Sequence, residues 1–162
     1  MAFSYFGGMN PSLLLRLRHQ PVALDTLLAG LTEAQVRSRP QPEKWSILEN
    51  IAHLGRYHLV FLERMETILK ENRPAFDRYV ADTDPGFGEW RTKPTERLLA
   101  EYRETRAAVL DFLAGLTVDQ LRKTGVHPVY GPMSVEGWAE FFLLHEAHHY
   151  FTILKLAGPL RA

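Results

Sequence analysis

Apolar residues recur along most of this chain at intervals of three and four, the spacing that places them on one face of a helix. From Pro11 to Ala29 the apolar face is Leu13, Leu14, Leu17, Val22, Leu24, Leu27 and Leu28. Pro21 lies inside that stretch and predicts a break near His19-Gln20, because proline removes a helical hydrogen bond and clashes with the preceding turn. Gly30 is a natural stop. Thr32 with Gln35 forms a capping box for a short helical turn, and Pro40 and Pro42 mark a loop. A second helix starts at a Ser46 cap with Glu49 three residues on. It keeps its period through Ile47, Ile51, Leu54, Phe61, Leu62, Met65, Ile68 and Leu69 to about Lys70. Residues 72–92 contain Pro74, Pro85, Gly86 and Gly88 and hold no sustained period. They predict a long surface connection with at most one helical turn, of a length that is often functional or crosses a bundle. A third helix begins near Pro94, placed in its first turn, and carries Leu98, Leu99, Tyr102, Thr105, Val109, Phe112 and Leu113 as far as Gly115. After a loop over residues 124–132, Ser134 caps a fourth helix. It shows Trp138, Phe141, Phe142, His145, His149, Thr152, Ile153 and Leu156 on one side and ends at Gly158-Pro159. No alternating run competes, so the expected fold is all-α: a four-helix bundle in one domain, residues 1–162, with a long connection between helices two and three.

The two halves echo each other. Gly30-Leu31-Thr32-Glu33-Ala34-Gln35 parallels Gly115-Leu116-Thr117-Val118-Asp119-Gln120, and each is followed by a serine-capped helix carrying histidine. The echo suggests two similar helical pairs related by a pseudo-twofold axis. Charge adds an exclusion: 19 basic residues balance 19 acidic ones, so no net charge draws the chain to nucleic acid or an anionic membrane. There is no cysteine, which removes disulfides, thiolate metal sites and a cysteine nucleophile and fits a cytoplasmic setting. The stretch Met1–Gly8 lacks the basic and apolar regions of a secretory signal, and no apolar run reaches membrane-spanning length.

The candidate chemistry lies in three histidines. His145 and His149 are four apart, one turn of helix, and share the inward stripe with Trp138, Phe141, Phe142 and Ile153. His53 is on the second helix with Asn50, Tyr57 and Val60, a mixed face suited to lining a cavity. A buried imidazole pair without partners loses solvation, and a divalent transition metal resolves that loss. Two histidines from one helix and one from another make a facial set that leaves coordination positions open. The other histidines have plainer expectations. His148 takes an outer position beside the set, His58 is partly exposed, and His19 faces solvent at the helix break. His127 belongs to a loop able to overhang the site, or simply to a turn before Pro128. Glu49 is accounted for by capping, and Glu136, Glu140 and Glu146 are expected to be solvated, although any of them could accept an imidazole N–H. Trp45 is expected as a hydrophobic staple ahead of the second helix, and Tyr57 as a core residue one turn from His53.

Trp45-Ser46-x-x-Glu49-x-x-x-His53-Leu54, together with His145-x-x-His148-His149 on the last helix, resembles the DinB-like (YfiT-like) superfamily over nearly the whole chain. The resemblance implies a four-helix bundle holding a divalent metal, often nickel or zinc, on His53, His145 and His149. It implies a small-molecule substrate, and in some relatives the transfer of a low-molecular-weight thiol such as bacillithiol or mycothiol to an electrophile. It also implies a homodimer, to which the apolar segment around Phe3, Tyr5 and Phe6 could contribute. Tyr150-Phe151-Thr152 departs from the Gly-Gln step common after the histidine pair. The expected function is a metal-dependent enzyme, a thiol S-transferase or hydrolase, with a non-catalytic bundle around a structural metal as the alternative.

Overall fold

The computed structural model describes residues 8–161, so Phe3, Tyr5 and Phe6 lie outside the described residues. Its helices are α1 (Pro11–His19), α2 (Ala23–Leu28), α3 (Glu33–Arg37), α4 (Ile47–Lys70), α5 (Pro85–Trp90), α6 (Thr95–Ala114), α7 (Val118–Arg122) and α8 (Val135–Ala157). The bundle consists of α4, α6, α8 and the broken pair α1–α2. The break falls where Pro21 places it, as a 3₁₀ turn over Gln20–Val22. The capping boxes form as the sequence requires: Thr32 with Gln35, Ser46 with Glu49, and Thr117 with Gln120. Ser134 caps α8 by accepting from the Gly137 amide. Pro94 is the residue before α6 rather than a member of its first turn. In that position its missing N–H costs nothing.

Two strands depart from the all-helical expectation. β1 (Thr124–His127) and β2 (Gly131–Ser134) form an antiparallel hairpin. Each strand is only four residues long, too short to show an alternating pattern. Side-chain chemistry builds the turn instead: His127 Nδ1 accepts from the amides of Val129 and Tyr130, and Gly131 takes φ 72°. The hairpin also fastens the long α4–α6 connection, because the Phe76 amide donates to the Val126 carbonyl and the Val126 amide donates to Pro74. That connection returns across α4 through α5, where Trp90 packs onto Gly55 so closely that a Cβ there would sit 2.0 Å from the indole.

The apolar core is divided. One cluster joins Leu13 and Leu17 of α1 to Phe61 and Met65 of α4, Val109 and Leu113 of α6, and Trp138 and Phe142 of α8. The other joins Leu24, Ile51 and Leu54 to Phe87, Leu98, Tyr102 and Ile153. Between them runs a buried polar layer. Glu146 is fully buried and accepts from Arg106 Nε at 2.9 Å, Tyr102 Oη at 2.9 Å and Gln20 Nε2 at 2.8 Å. Arg106 also donates to the Leu17 carbonyl at 2.8 Å, and the hydroxyls of Tyr102 and Tyr150 pair.

Glu146 is therefore not the solvated helix residue its charge suggests, and His58 is fully buried rather than partly exposed. His58 Nδ1 lies 2.9 Å from the Thr105 hydroxyl, and Nε2 faces Glu146 Oε1 at 3.6 Å. Burial alone would raise the Glu146 pKa, but His58 and Arg106 overcome it and hold it down at about 2. Burial pushes the His58 imidazole down, so the ring is neutral beside an ionised carboxylate. By contrast, Glu140 pairs with Arg16 at an exposed site and Glu136 accepts from the Asn10 amide, as expected of surface acids.

A buried charge left without its partner is costly. Glu146→Gln strands the Arg106 guanidinium and is expected to lower unfolding free energy by about 3–5 kcal/mol in a urea titration. A loss below about 1 kcal/mol would show that the Arg106–Glu146 pair does not hold the bundle together.

Candidate metal centre

α4 and α8 run side by side, and their facing stripes bring His53 against His145 and His149. His53 Nε2 and His145 Nε2 are 3.0 Å apart, and one ring nitrogen from each of the three histidines lies within 4.8 Å of the others. The rings pack tightly, with centroids 4.5 Å apart for His53–His149, 4.8 Å for His145–His149 and 5.0 Å for His53–His145. The three histidines singled out in the sequence thus converge. His148 faces outward on α8, and His19 is exposed at the helix break. His127, at the turn of the hairpin, is buried against Trp138 and Phe141 and does not join the cluster.

His149 is oriented by a residue whose role the sequence did not disclose. Asn50 Oδ1 lies 2.8 Å from His149 Nδ1, while Asn50 Nδ2 donates to the Ser46 carbonyl at 2.8 Å. Because the amide nitrogen is committed to Ser46, the amide oxygen accepts from His149 Nδ1–H. That fixes the tautomer and leaves His149 Nε2 as the free ligand atom. The spacing Ser46-x-x-x-Asn50 before His53 was the available signal: a buried asparagine one turn into the helix can bond back to its cap. His53 and His145 already turn Nε2 inward, and their Nδ1 atoms are buried without a protein partner.

Aromatic rings enclose the cluster. Trp45 packs at 5.1 Å from His53 and 5.0 Å from Phe87, so it walls the centre rather than stapling the helix start. Its staple partner one turn on would be Asn50, which is polar. Tyr57 lies 4.5 Å from His145, and Tyr79 lies 5.7 Å from His53. Tyr79 and Phe87 come from the long connection, which is tied down at Asp84. That carboxylate accepts from Arg56 Nε at 2.7 Å, from the Tyr79 hydroxyl at 2.9 Å and from the Gly86 amide at 2.9 Å. Beside His149 a cavity of about 640 Å³ opens between Trp45, Asn50, Lys44, His148 and Lys155.

Burial pushes the imidazoles of His53, His145 and His149 down to about 3, and the neighbouring histidines add to the effect. All three are neutral at pH 7, the form that coordinates a metal. An ion bound at about 2.1 Å from each nitrogen requires only small side-chain rotations from the observed separations. The donor set fits a borderline divalent transition ion: three imidazoles, no thiolate and no carboxylate within the cluster.

Two outcomes follow. Asn50→Leu frees the His149 ring and is expected to weaken metal binding by about 10–100-fold in a chelator competition. Unchanged affinity would remove Asn50 from the site. The second concerns pH. Each imidazole titrates near 3 when folded and near 6.5 when unfolded, so the unfolded chain binds more protons between those values. The stability of the metal-free protein is expected to be complete above about pH 6.5 and to fall as pH drops towards 3, as followed by urea midpoints. A flat profile over that window would contradict the burial of neutral rings.

A profile of the DinB superfamily matches residues 16–153. The solved structure of YfiT from Bacillus subtilis, described as a probable metal-dependent hydrolase with an unusual four-helix bundle topology, has 20% sequence identity to this chain. Its TM-score is 0.74, and the match covers 92% of this chain and 86% of that one. At that identity the likeness shows the fold. No curated protein matches the chain. The profile takes in α4, α6 and nearly all of α8, with all three histidines of the cluster, and the chain belongs to the DinB superfamily.

Proposed function

We propose that this chain is a metal-dependent enzyme acting on a small molecule, with His53, His145 and His149 as ligands to one divalent ion such as nickel or zinc. The observation that carries the reading is the convergence of three neutral, largely buried imidazoles from two helices beside an open cavity. An ion held by neutral ligands keeps its full charge and lowers the pKa of a bound water or thiol, which supplies a nucleophile at neutral pH. The description of YfiT as a probable metal-dependent hydrolase supports the water-activating form. The absence of cysteine means that any thiol nucleophile is a small molecule, as in a thiol S-transferase working in a reducing cytoplasm.

The chain's own residues have definite parts. Asn50 holds the His149 ring in one tautomer. Trp45, Tyr57, Tyr79 and Phe87 exclude water from the inner side of the cluster. Burial raises the pKa of the Tyr57 hydroxyl, which keeps it a neutral donor beside His145. The cavity at His149 gives a substrate access from one side, which a closed structural metal site would not require. Among the described residues no helix is long and apolar enough to cross a membrane. A homodimer is proposed on family analogy alone.

The test is a comparison of wild type with His149→Ala. The expected result is about one metal ion per wild-type chain by elemental analysis and loss of most of it in the variant. Ester hydrolysis or thiol conjugation should fall about 100-fold or more in parallel. Equal metal content and equal rates in both proteins would overturn the reading. The thiol requirement separates the two chemistries: turnover without added thiol identifies the hydrolase.

A further inference from the structure

A second polar cluster lies along the same α4–α8 seam, about three helical turns beyond His53 on α4 and two before His145 on α8. The α4 stripe continues from His53 through Tyr57 and Val60 to Arg64, and the α8 stripe runs back from His145 through Phe141 to Trp138. Arg64 is half-buried, and its guanidinium carbon lies 5.4 Å from the Phe76 ring centre and 5.8 Å from the Trp138 ring centre. Its one side-chain hydrogen bond among the described residues goes to the Asp77 carbonyl at 2.7 Å, and no carboxylate pairs with it there.

The neighbours of Arg64 are donors as well. His127 Nδ1 accepts two backbone amides, so the ring proton is on Nε2. Burial and the Arg64 charge push the His127 imidazole down, which keeps the ring neutral. His127 packs 5.1 Å from Trp138, whose Nε1–H is buried without a partner. A guanidinium, an indole N–H and an imidazole N–H therefore gather around Trp138, and the imidazole acceptor is already taken up by the turn. An unpartnered buried donor costs free energy, and a site of donors alone is complementary to an anion. Phe76, Phe141 and Tyr130 surround the group with apolar surface, and Tyr130 stands exposed at the rim.

We propose that Arg64, Trp138 and His127 form a binding site for the carboxylate of an apolar or aromatic acid, separate from the open side of the three-histidine centre. The planar guanidinium suits a carboxylate bidentately, and the aromatic walls favour an acid with an apolar body. The site does not depend on the enzymatic reading of the histidine cluster.

The experiment compares benzoate with its uncharged counterpart benzamide, titrated into metal-free and metal-loaded protein by calorimetry at constant ionic strength. Wild type is expected to bind benzoate at least about tenfold more tightly than benzamide in both forms. Arg64→Met should reduce that preference to less than about twofold with unchanged metal content, and Arg64→Lys should keep part of it. Equal binding of the two probes by wild type, absence of benzoate binding, or an undiminished preference in Arg64→Met would each overturn the proposal. The wild-type comparison needs no variant to fold. Benzoate preference alongside a His149→Ala protein that keeps its metal and its activity would leave the site standing and remove only the enzymatic reading.

Discussion

The rotation of α8 about its own axis is the constraint on which the site depends. His145 and Glu146 are consecutive, so their side chains leave the helix about 100° apart. Glu146 is held from three sides, by Arg106 and Tyr102 of α6 and by Gln20 at the α1–α2 break. With that carboxylate fixed, His145 and His149 have one direction left, towards α4 and His53. A different rotation of α8 would pull Glu146 from Arg106 and turn both imidazoles away from His53. The charged layer and the histidine cluster are two outward expressions of one helix register. Glu146 and Tyr150 face α6, while His145 and His149 face α4.

This arrangement explains why the bundle has two apolar clusters rather than one. Polar groups placed mid-bundle are expensive unless every member is paired, and a fully paired layer specifies the packing of its neighbours. The apolar clusters on either side supply the burial that offsets the layer and keep water from competing with its hydrogen bonds. The long α4–α6 connection serves the same end. It is pinned by Arg56 and Asp84 and lays Tyr79 and Phe87 over His53, so the centre is dry on one side and open beside His149 on the other.

The helices, the break at Pro21, the capping boxes and the three convergent histidines were legible in the sequence because each depends on residues within a turn or two of one another. What escaped depends on contacts between distant segments. Glu146 and Arg106 are 40 positions apart, and each looks like an ordinary solvated helix charge. The period carried a signal all the same. Ala139, Leu143, Glu146, Tyr150, Ile153 and Ala157 alternate steps of four and three, as do Ile51, Leu54, His58, Phe61, Met65 and Ile68. Leu98, Tyr102, Arg106, Val109 and Leu113 nearly do. Each buried stripe has one polar residue at its middle, and those three residues meet. The hairpin was missed because its turn is built by the His127 ring rather than by a recognisable turn sequence. Trp45 was misplaced because its partner, Phe87, arrives from a segment without periodicity.

The claim at the centre of this account is that His53, His145 and His149 bind one divalent ion and leave it room for an exchangeable ligand. X-ray absorption spectroscopy of the metal-loaded protein tests it most directly. The account predicts a first shell of three imidazole nitrogens at about 2.0–2.1 Å with at least one light-atom ligand that changes on adding a small thiol or anion. A shell with fewer than three imidazoles, or one closed by a further protein ligand and unresponsive to added ligand, would contradict it.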